Sequence, residues 1–252
     1  MSSDFYLSIP SNASADLHLD NTLTHYITTL PQRISLSGQW ECGMVEIQYP
    51  HSWYNVRSDN ASFAIATTNS QENYDISKGK IEAGYYDRPE RMIAAINNTL
   101  KKASDETKVT LSYSKITQKV TVDLDPGTIL SMDMSNILGF NNSFVTTARE
   151  ADSVVDMAQG FHALYVYTNV VESRVVGDSV VPLLRIVPLE GKHGDVVSKN
   201  FDNVQYITVL HREFTTIEID IRDDAGRHVP FERGRVTVTL HFRRRKPSFF
   251  ER

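Results

Sequence analysis

The sequence predicts an all-β protein, a single jelly-roll β-sandwich that carries a small α+β insertion. Runs of alternating apolar and polar residues recur in both the N-terminal and the C-terminal part of the chain. Turn-forming Gly, Pro, Asn and Asp residues separate these runs, and a convincing helical pattern occurs once, in the middle of the chain. Many short strands joined by turns are typical of a sandwich or a barrel.

Two N-terminal segments predict strands of different kinds. Residues 4–10 alternate between apolar and polar side chains, as a half-buried strand does. Residues 40–49 are apolar on both faces, which is typical of a central strand that is covered on both sides. One face would carry Cys42 and Met44, and the other Val45, Ile47 and Tyr49.

The clearest strand predictions lie near the C-terminus. Residues 217–222 place three isoleucines on one face and three charged residues on the other. Residues 236–242 alternate in the same way, with Val, Val, Leu and Phe on the apolar face. A period of two with one apolar face indicates half-buried strands of an antiparallel sheet.

The helical pattern covers residues 88–103. Asp87 and Glu90 have the spacing of a capping box, and Pro89 falls in the first turn, where its missing N–H costs little. An apolar stripe follows at helical spacing, formed by Met92, Ile93, Ile96, Leu100 and Ala103.

Two β-rich runs follow this helix and complete a segment that differs from its flanks. We therefore expect residues 70–140 to form an α+β insertion domain. Residues 1–69 and 141–252 would then form the jelly-roll sandwich, which has enough chain for eight strands in two sheets.

Composition excludes several classes of protein. Hydrophobic residues make up 40% of the chain and charged residues 23%, which is ordinary for a globular protein and argues against disorder. No apolar run approaches the roughly 18 residues that span a bilayer, so no membrane span is predicted. The first residues have neither a basic start nor an apolar core, so we predict no signal peptide and an intracellular site of synthesis.

Motifs of catalysis are absent from the sequence. It has no Gly-x-Ser-x-Gly elbow and no phosphate-binding glycine loop, and its eight histidines are scattered. The sequence therefore predicts no enzyme, no cofactor and no metal site. The densest acidic cluster, Glu218, Asp220, Asp223 and Asp224, could hold a divalent ion, but a solvated sheet face with Arg222 as counter-charge is the favoured interpretation.

An aromatic segment leaves the predicted strand at residues 40–49. Large amphipathic rings beside a proline suit a contact between proteins, and they would equally well cap the core of the sandwich itself. Both interpretations stay open at this point. The candidate subunit-interface residues are Tyr49, His51, Trp53 and Tyr54.

A basic segment follows the last predicted strand. The final ten residues hold five basic residues and one acidic residue, although the whole chain has a net charge of −5. The candidate nucleic-acid-facing tail is Arg243, Arg244, Arg245 and Lys246, which would touch phosphates without reading sequence. A solvated tail that protects an edge strand is the alternative, and deletion of residues 243–252 is expected to leave the fold intact.

Five segments of the chain have a distinctive sequence. The N-terminal segments are SIPSNAS at residues 8–14 and LSGQWECGMVEIQYPHSWYN at residues 36–55. The C-terminal segments are VPLLRIVP at residues 181–188, FTTIEIDIRDDAGRHVPFE at residues 214–232 and VTVTLHFR at residues 236–243. These five segments resemble the minor capsid (penton) proteins of Polinton/Maverick elements and adintoviruses. The insertion at residues 70–140 matches less distinctly.

This resemblance implies a single jelly roll that forms homopentamers at the fivefold vertices of an icosahedral capsid. It also implies a double jelly-roll major capsid protein as partner, a place in the virion and weak contact of the tail with packaged DNA. No catalytic or metal residues come with the family. The alternative function is a β-sandwich module that binds a receptor or a glycan, similar to a lectin or a spike.

Overall fold

A computed structural model describes residues 4–68, 73–104, 108–159 and 161–245. Within these ranges the elements are β1 (Asp4–Pro10), β2 (His25–Ser35), β3 (Trp40–Pro50), β4 (Ser62–Thr68), β5 (Tyr74–Lys80), α1 (Pro89–Ala103), β6 (Val109–Tyr113), β7 (Val120–Leu124), β8 (Thr128–Met132), β9 (Phe144–Val145), β10 (Arg149–Glu150), β11 (Ala163–Thr168), β12 (Arg174–Val176), β13 (Ser179–Val181), β14 (Leu183–Pro188), β15 (Val196–Asn200), β16 (Ile207–Thr208), β17 (Glu213–Arg222) and β18 (Thr237–Arg244).

The chain divides into two compact units. The first unit is Met1–Trp53 with Phe161–Arg252, and the second is Tyr54–Gly160. The boundaries that we expect from the sequence, at residues 70 and 140, both fall inside the second unit. The reason is strand pairing, because β4 pairs with β5 and β8, and β10 pairs with β7. Strands β4 and β10, which lie outside residues 70–140, therefore belong to the sheets of the second unit.

The first unit is a jelly roll of two antiparallel sheets, one of five strands and one of four. One sheet has the order β1-β18-β3-β15, with β16 also paired to β3, and the other has the order β14-β11-β17-β2. Apart from the separate β12–β13 hairpin, the strands alternate between the sheets along the chain, except that β11 and β14 follow each other in the second sheet and β15 and β16 in the first. This connectivity gives two interlocked Greek keys, so the predicted fold class is confirmed.

A β-bulge in β3 changes the faces that the sequence predicts. The register to β18 shifts between Thr239, opposite Glu46, and Leu240, opposite Met44, so Val45 is the extra residue. Cys42 and Met44 therefore lie on the same face as Ile47 and Tyr49, and all four are buried. The expectation of a strand with two separate apolar faces was wrong, because a period of two cannot reveal an inserted residue.

The core of the first unit lies between the two sheets. From β17 it receives Ile217, Ile219 and Ile221, and all three are completely buried, as the alternation predicts. Full burial of one such side chain stabilises the fold by about 1.5–3 kcal/mol. The buried Tyr26 hydroxyl of β2 donates a hydrogen bond to the carbonyl of Ile9 in β1 at 3.1 Å, which joins the two sheets.

The second unit has its own core, formed by two sheets and a helix. The sheets have the orders β5-β4-β8-β9 and β10-β7-β6. Helix α1 buries the predicted stripe against this core, including Met92, Ile96 and Leu100. The side-chain amide of Asn97 in the helix makes two hydrogen bonds with the backbone of Leu111 in β6. The amide donates to the carbonyl of Leu111 and accepts from its N–H, both at 2.8 Å.

The start of α1 confirms one expectation and corrects another. Pro89 is the first helical residue, as predicted. The N-cap is Arg88, which makes no side-chain cap bond, so the expected capping box is absent. Asp87 instead forms an ion pair with Arg91 at 3.0 Å, one turn into the helix.

Candidate functional site

Tyr49, the first of the four candidate interface residues, lies wholly inside the first unit. Its side chain has no exposed surface, and its hydroxyl accepts a hydrogen bond from the N–H of Glu190 at 3.0 Å. Burial raises the pKa of Tyr49 above its ordinary value. The side chain ties the end of β3 to the loop after β14.

Trp53 caps the same core. It is 9% exposed, and its ring contacts Phe161 at 5.0 Å and Phe231 at 5.9 Å between centroids. Aromatic rings at these separations attract each other beyond the gain from burial alone. For Tyr49 and Trp53 the geometry therefore favours the alternative in which the segment caps its own sandwich.

His51 and Tyr54 are half-buried. The His51 ring stacks on Trp53 at 4.0 Å between centroids, and its backbone N–H donates to the carbonyl of Asp195 at 2.9 Å. Burial lowers the pKa of His51, and the nearby His193 adds to this effect. Tyr54 opens the second unit. A role in a subunit interface stays a prediction for both residues.

The basic segment begins inside the first sheet rather than after it. Arg243 and Arg244 are the last residues of β18, opposite Glu41 and Trp40 of β3. The Arg243 guanidinium lies 3.0 Å from the Glu41 carboxylate and 3.3 Å from the ring centroid of Tyr206. Its charge is thus already paired, which corrects the expectation of a free basic tail at this position.

Arg245 continues the same attachment, because its backbone N–H donates to the carbonyl of Gln39 at 2.9 Å. Its side chain is exposed. Lys246, the fourth residue predicted to face nucleic acid, lies outside the described residues. Deletion of residues 243–252 would therefore also remove backbone pairing of residues 243–245 with the sheet, and that the fold stays intact after it remains a prediction.

Glu218 and Asp220 of the acidic cluster lie on the outer face of the second sheet, and Asp223 and Asp224 follow the end of β17. The Asp220 carboxylate is 2.7 Å from Arg222 and 3.0 Å from His228. Glu218 is 2.8 Å from His25. Arg222 and two histidines thus contact the carboxylates of Asp220 and Glu218, which fits the interpretation as a sheet face with Arg222 as counter-charge. In the described part of the chain, no group of three or more His, Cys, Asp or Glu residues could hold a metal ion.

The structure also shows exposed apolar residues that sequence reasoning missed. They lie in the β1–β2 loop, at the β12–β13 hairpin and on one face of the β5-β4-β8-β9 sheet. The only sequence signal for the first group is that leucines occur inside a segment of polar turn residues. The main members are Leu17, Leu19, Val175, Val180, Tyr74, Ile76 and Phe144.

Across the ranges that the structure describes, no helix is both long and apolar enough to span a membrane.

The chain resembles solved structures of other proteins. No protein-family model matches the sequence, and no curated protein is significantly similar to it. The crystal structure of the mavirus penton protein superimposes with a TM-score of 0.50 and 11% identity, over 95% of this chain and 99% of that one. A chain in the structure of the Sputnik virophage gives a TM-score of 0.49 and 11% identity, over 97% and 98% of the two chains. The protein therefore has the jelly-roll fold of the mavirus penton protein.

Proposed function

We propose that this protein is a structural minor capsid (penton) protein that forms pentamers at the fivefold vertices of an icosahedral capsid. The capsid would belong to a Polinton/Maverick-type element or virus. The observation that carries the proposal is the fold shared with the mavirus penton protein over 95% of this chain. Residues of both compact units fall within this coverage.

A second line of support comes from the sequence segments that resemble penton proteins. Because a fold hosts many functions, it does not by itself decide between them. The resembling segments contain all of β3 and β14, all but one residue of β17 and of β18, and the end of β1. The likeness in sequence therefore falls mainly on strands of the sandwich, and the likeness in fold covers the sandwich as well.

The mechanism of such a protein is assembly. Five copies related by rotation need two different surfaces that fit each other, so that the ring closes. A stable interface of this kind buries roughly 2,000 Å² or more and has apolar side chains at its centre. The exposed apolar groups of both units supply such side chains outside the two cores.

The remaining parts of the proposal concern partners and location. A double jelly-roll major capsid protein would surround each pentamer, the protein would be made in the host cell, and it would act in the virion without catalysis. Contact of the C-terminal tail with packaged DNA stays part of the proposal for Arg244, Arg245 and Lys246. For Arg243 it is less favoured, because Glu41 already pairs with its charge.

Native mass spectrometry over a range of concentrations, with and without the co-expressed major capsid protein, tests the proposal. We expect a five-subunit species, and ring-shaped particles in electron micrographs. A strict monomer under all conditions, including with the capsid partner, would contradict it. Specific binding on a glycan array by such a monomer would favour the receptor-binding alternative.

A further inference from the structure

We propose that the β1–β2 loop of one copy docks on the open face of the β5-β4-β8-β9 sheet of a neighbouring copy. This inference rests on the proposed function, since it supplies two complementary surfaces for the ring. The partner that binds the sheet face is a second copy of this chain.

The docking loop displays two leucines to solvent. Leu17 is 69% exposed and Leu19 is 88% exposed, although both are large and apolar. They lie in the connection between β1 and β2, where polar residues surround them. Two exposed leucines that lie one residue apart on the same loop are typical of a contact surface.

The loop holds these leucines in a fixed position. His18, between them, is joined to Thr29 of β2 at 3.0 Å between Nε2 and Oγ1. The amide of Asn21 makes two hydrogen bonds of 2.9 Å with the backbone of Ile27. The hydroxyl of Ser14 accepts a bond from the N–H of Thr29 at 2.9 Å. A loop that is already ordered loses little entropy on docking.

The receiving surface is the outer face of the β5-β4-β8-β9 sheet. Its inner face packs into the core of the second unit through residues such as Phe63 and Leu130. Because side chains alternate along a strand, the residues between these lie on the outer face. They are mostly apolar or small: Tyr74, Ile76, Ala64, Ala66, Ile129, Ser131 and Phe144.

The outer face has the shape of a shallow trough. Register places Ala66 between Ile76 and Ile129, and Ala64 beside Ser131. Ala64 and Ala66 thus form a floor along β4, and the larger side chains of Ile76 in β5 and Ile129 in β8 stand on either side of Ala66. These two strands are about 10 Å apart, since each lies one strand spacing from β4. Two leucine side chains fit a trough of this width.

The charges of the two surfaces are complementary. Asp16 and Asp20 flank the leucine segment of the loop. Lys78 and Lys80 of β5 share the outer face with Tyr74 and Ile76, since all four alternate along one strand. Within the described residues, none of these two acids and two lysines forms an ion pair. Opposite charges at the edge of an apolar contact guide and orient association.

The two surfaces differ, so the contact between them is heterologous. A loop that docks on a sheet of the next copy leaves its own sheet free for the loop of the copy before it. Contacts of this type close into rings when the rotation between copies allows it. A pentamer uses five such contacts.

The double variant L17S/L19S tests the inference by native mass spectrometry. We expect the subunit concentration needed for half-maximal pentamer to rise at least about tenfold, because two buried leucines are lost from each contact. The matched control is Ile116→Ser, at a 95% exposed residue on neither surface, and it should assemble as the wild type does. Thermal unfolding of the monomers checks that both variants fold.

Charge reversal tests whether the β1–β2 loop of one copy binds the β5-β4-β8-β9 sheet of the next copy. We expect D16K/D20K and K78E/K80E each to weaken the pentamer, and the combined quadruple variant to recover assembly. If the wild type forms pentamers and L17S/L19S forms them at the same subunit concentration, this inference is overturned and the proposed function stands. A leucine variant that forms normal pentamers and loses only its binding to the major capsid protein would lead to the same conclusion. A wild type that never forms pentamers would overturn both.

Discussion

The residues around Trp53 in the sequence have the composition of a contact surface. In the structure, however, its ring closes the core of its own subunit. The sequence shows a proline, a histidine and two tyrosines near it, which is a composition common at interfaces. Its position is decided by Phe161 and Phe231, more than 100 residues away along the chain. No local sequence pattern predicts that the rings of Trp53, Phe161 and Phe231 will be in contact.

Replacement of Trp53 by alanine tests this assignment. We expect W53A to lower the free energy of unfolding by about 3–5 kcal/mol, since a large buried aromatic side chain is removed. Urea unfolding of dilute protein, followed by circular dichroism, measures the change. Ile116→Ala, at an exposed residue, should be nearly neutral. If W53A kept its stability and lost only the ability to assemble, the side chain would act at an interface instead.

At the scale of elements, β18 extends further than its alternating pattern shows. The pattern ends at Phe242, because Arg243 and Arg244 read as the start of a basic tail. Backbone pairing does not depend on side-chain polarity, and β3 offers Glu41 and Trp40 opposite these two arginines. The ladder therefore continues, and the salt bridge to Glu41 makes the extension favourable.

Two truncated chains measure what this strand end contributes. A chain that ends at Phe242 loses the last ladder positions, the Glu41 ion pair and the Tyr206 contact, whereas a chain that ends at Arg245 keeps them. We expect the shorter chain to be less stable by about 1–3 kcal/mol. Thermal unfolding of the two side by side gives the difference. Equal melting temperatures would show that the end of β18 contributes nothing.

At the scale of the whole molecule, two separate hydrophobic cores organise the chain. The buried cluster of the first unit and that of the second have no residue in common. Trp53 and Phe161, where the chain leaves the first unit and returns to it, have ring centroids only 5.0 Å apart. The first unit is thus closed at the point where the second is inserted, as in domains that tolerate insertions.

Excision of the second unit tests this organisation. Replacement of residues 54–160 by a flexible linker of about four residues, which spans up to about 13 Å, should leave a folded β-sandwich. Circular dichroism and a cooperative urea transition would show it. Excision of residues 70–140 is the control, because it leaves β4 without its partners β5 and β8. If that shorter deletion folded and the larger one did not, the unit boundaries drawn here would be wrong.

Local periodicity by itself determined the fold class and the faces of β1, β17, β18 and α1. In these elements each side chain's environment follows from its neighbours two to four positions away. Turn residues likewise marked where most strands stop. The two-sheet jelly roll could be predicted for this reason, since its strands carry their own burial pattern.

Only the tertiary structure decided the bulge at Val45, the burial of Trp53, the pairing of Arg243 with Glu41 and the boundaries of the second unit. It also revealed that Leu17 and Leu19 stay in solvent. Each of these depends on which distant segments pair or pack together. A sequence pattern records what a residue can tolerate locally, whereas its partner across the fold decides where it lies.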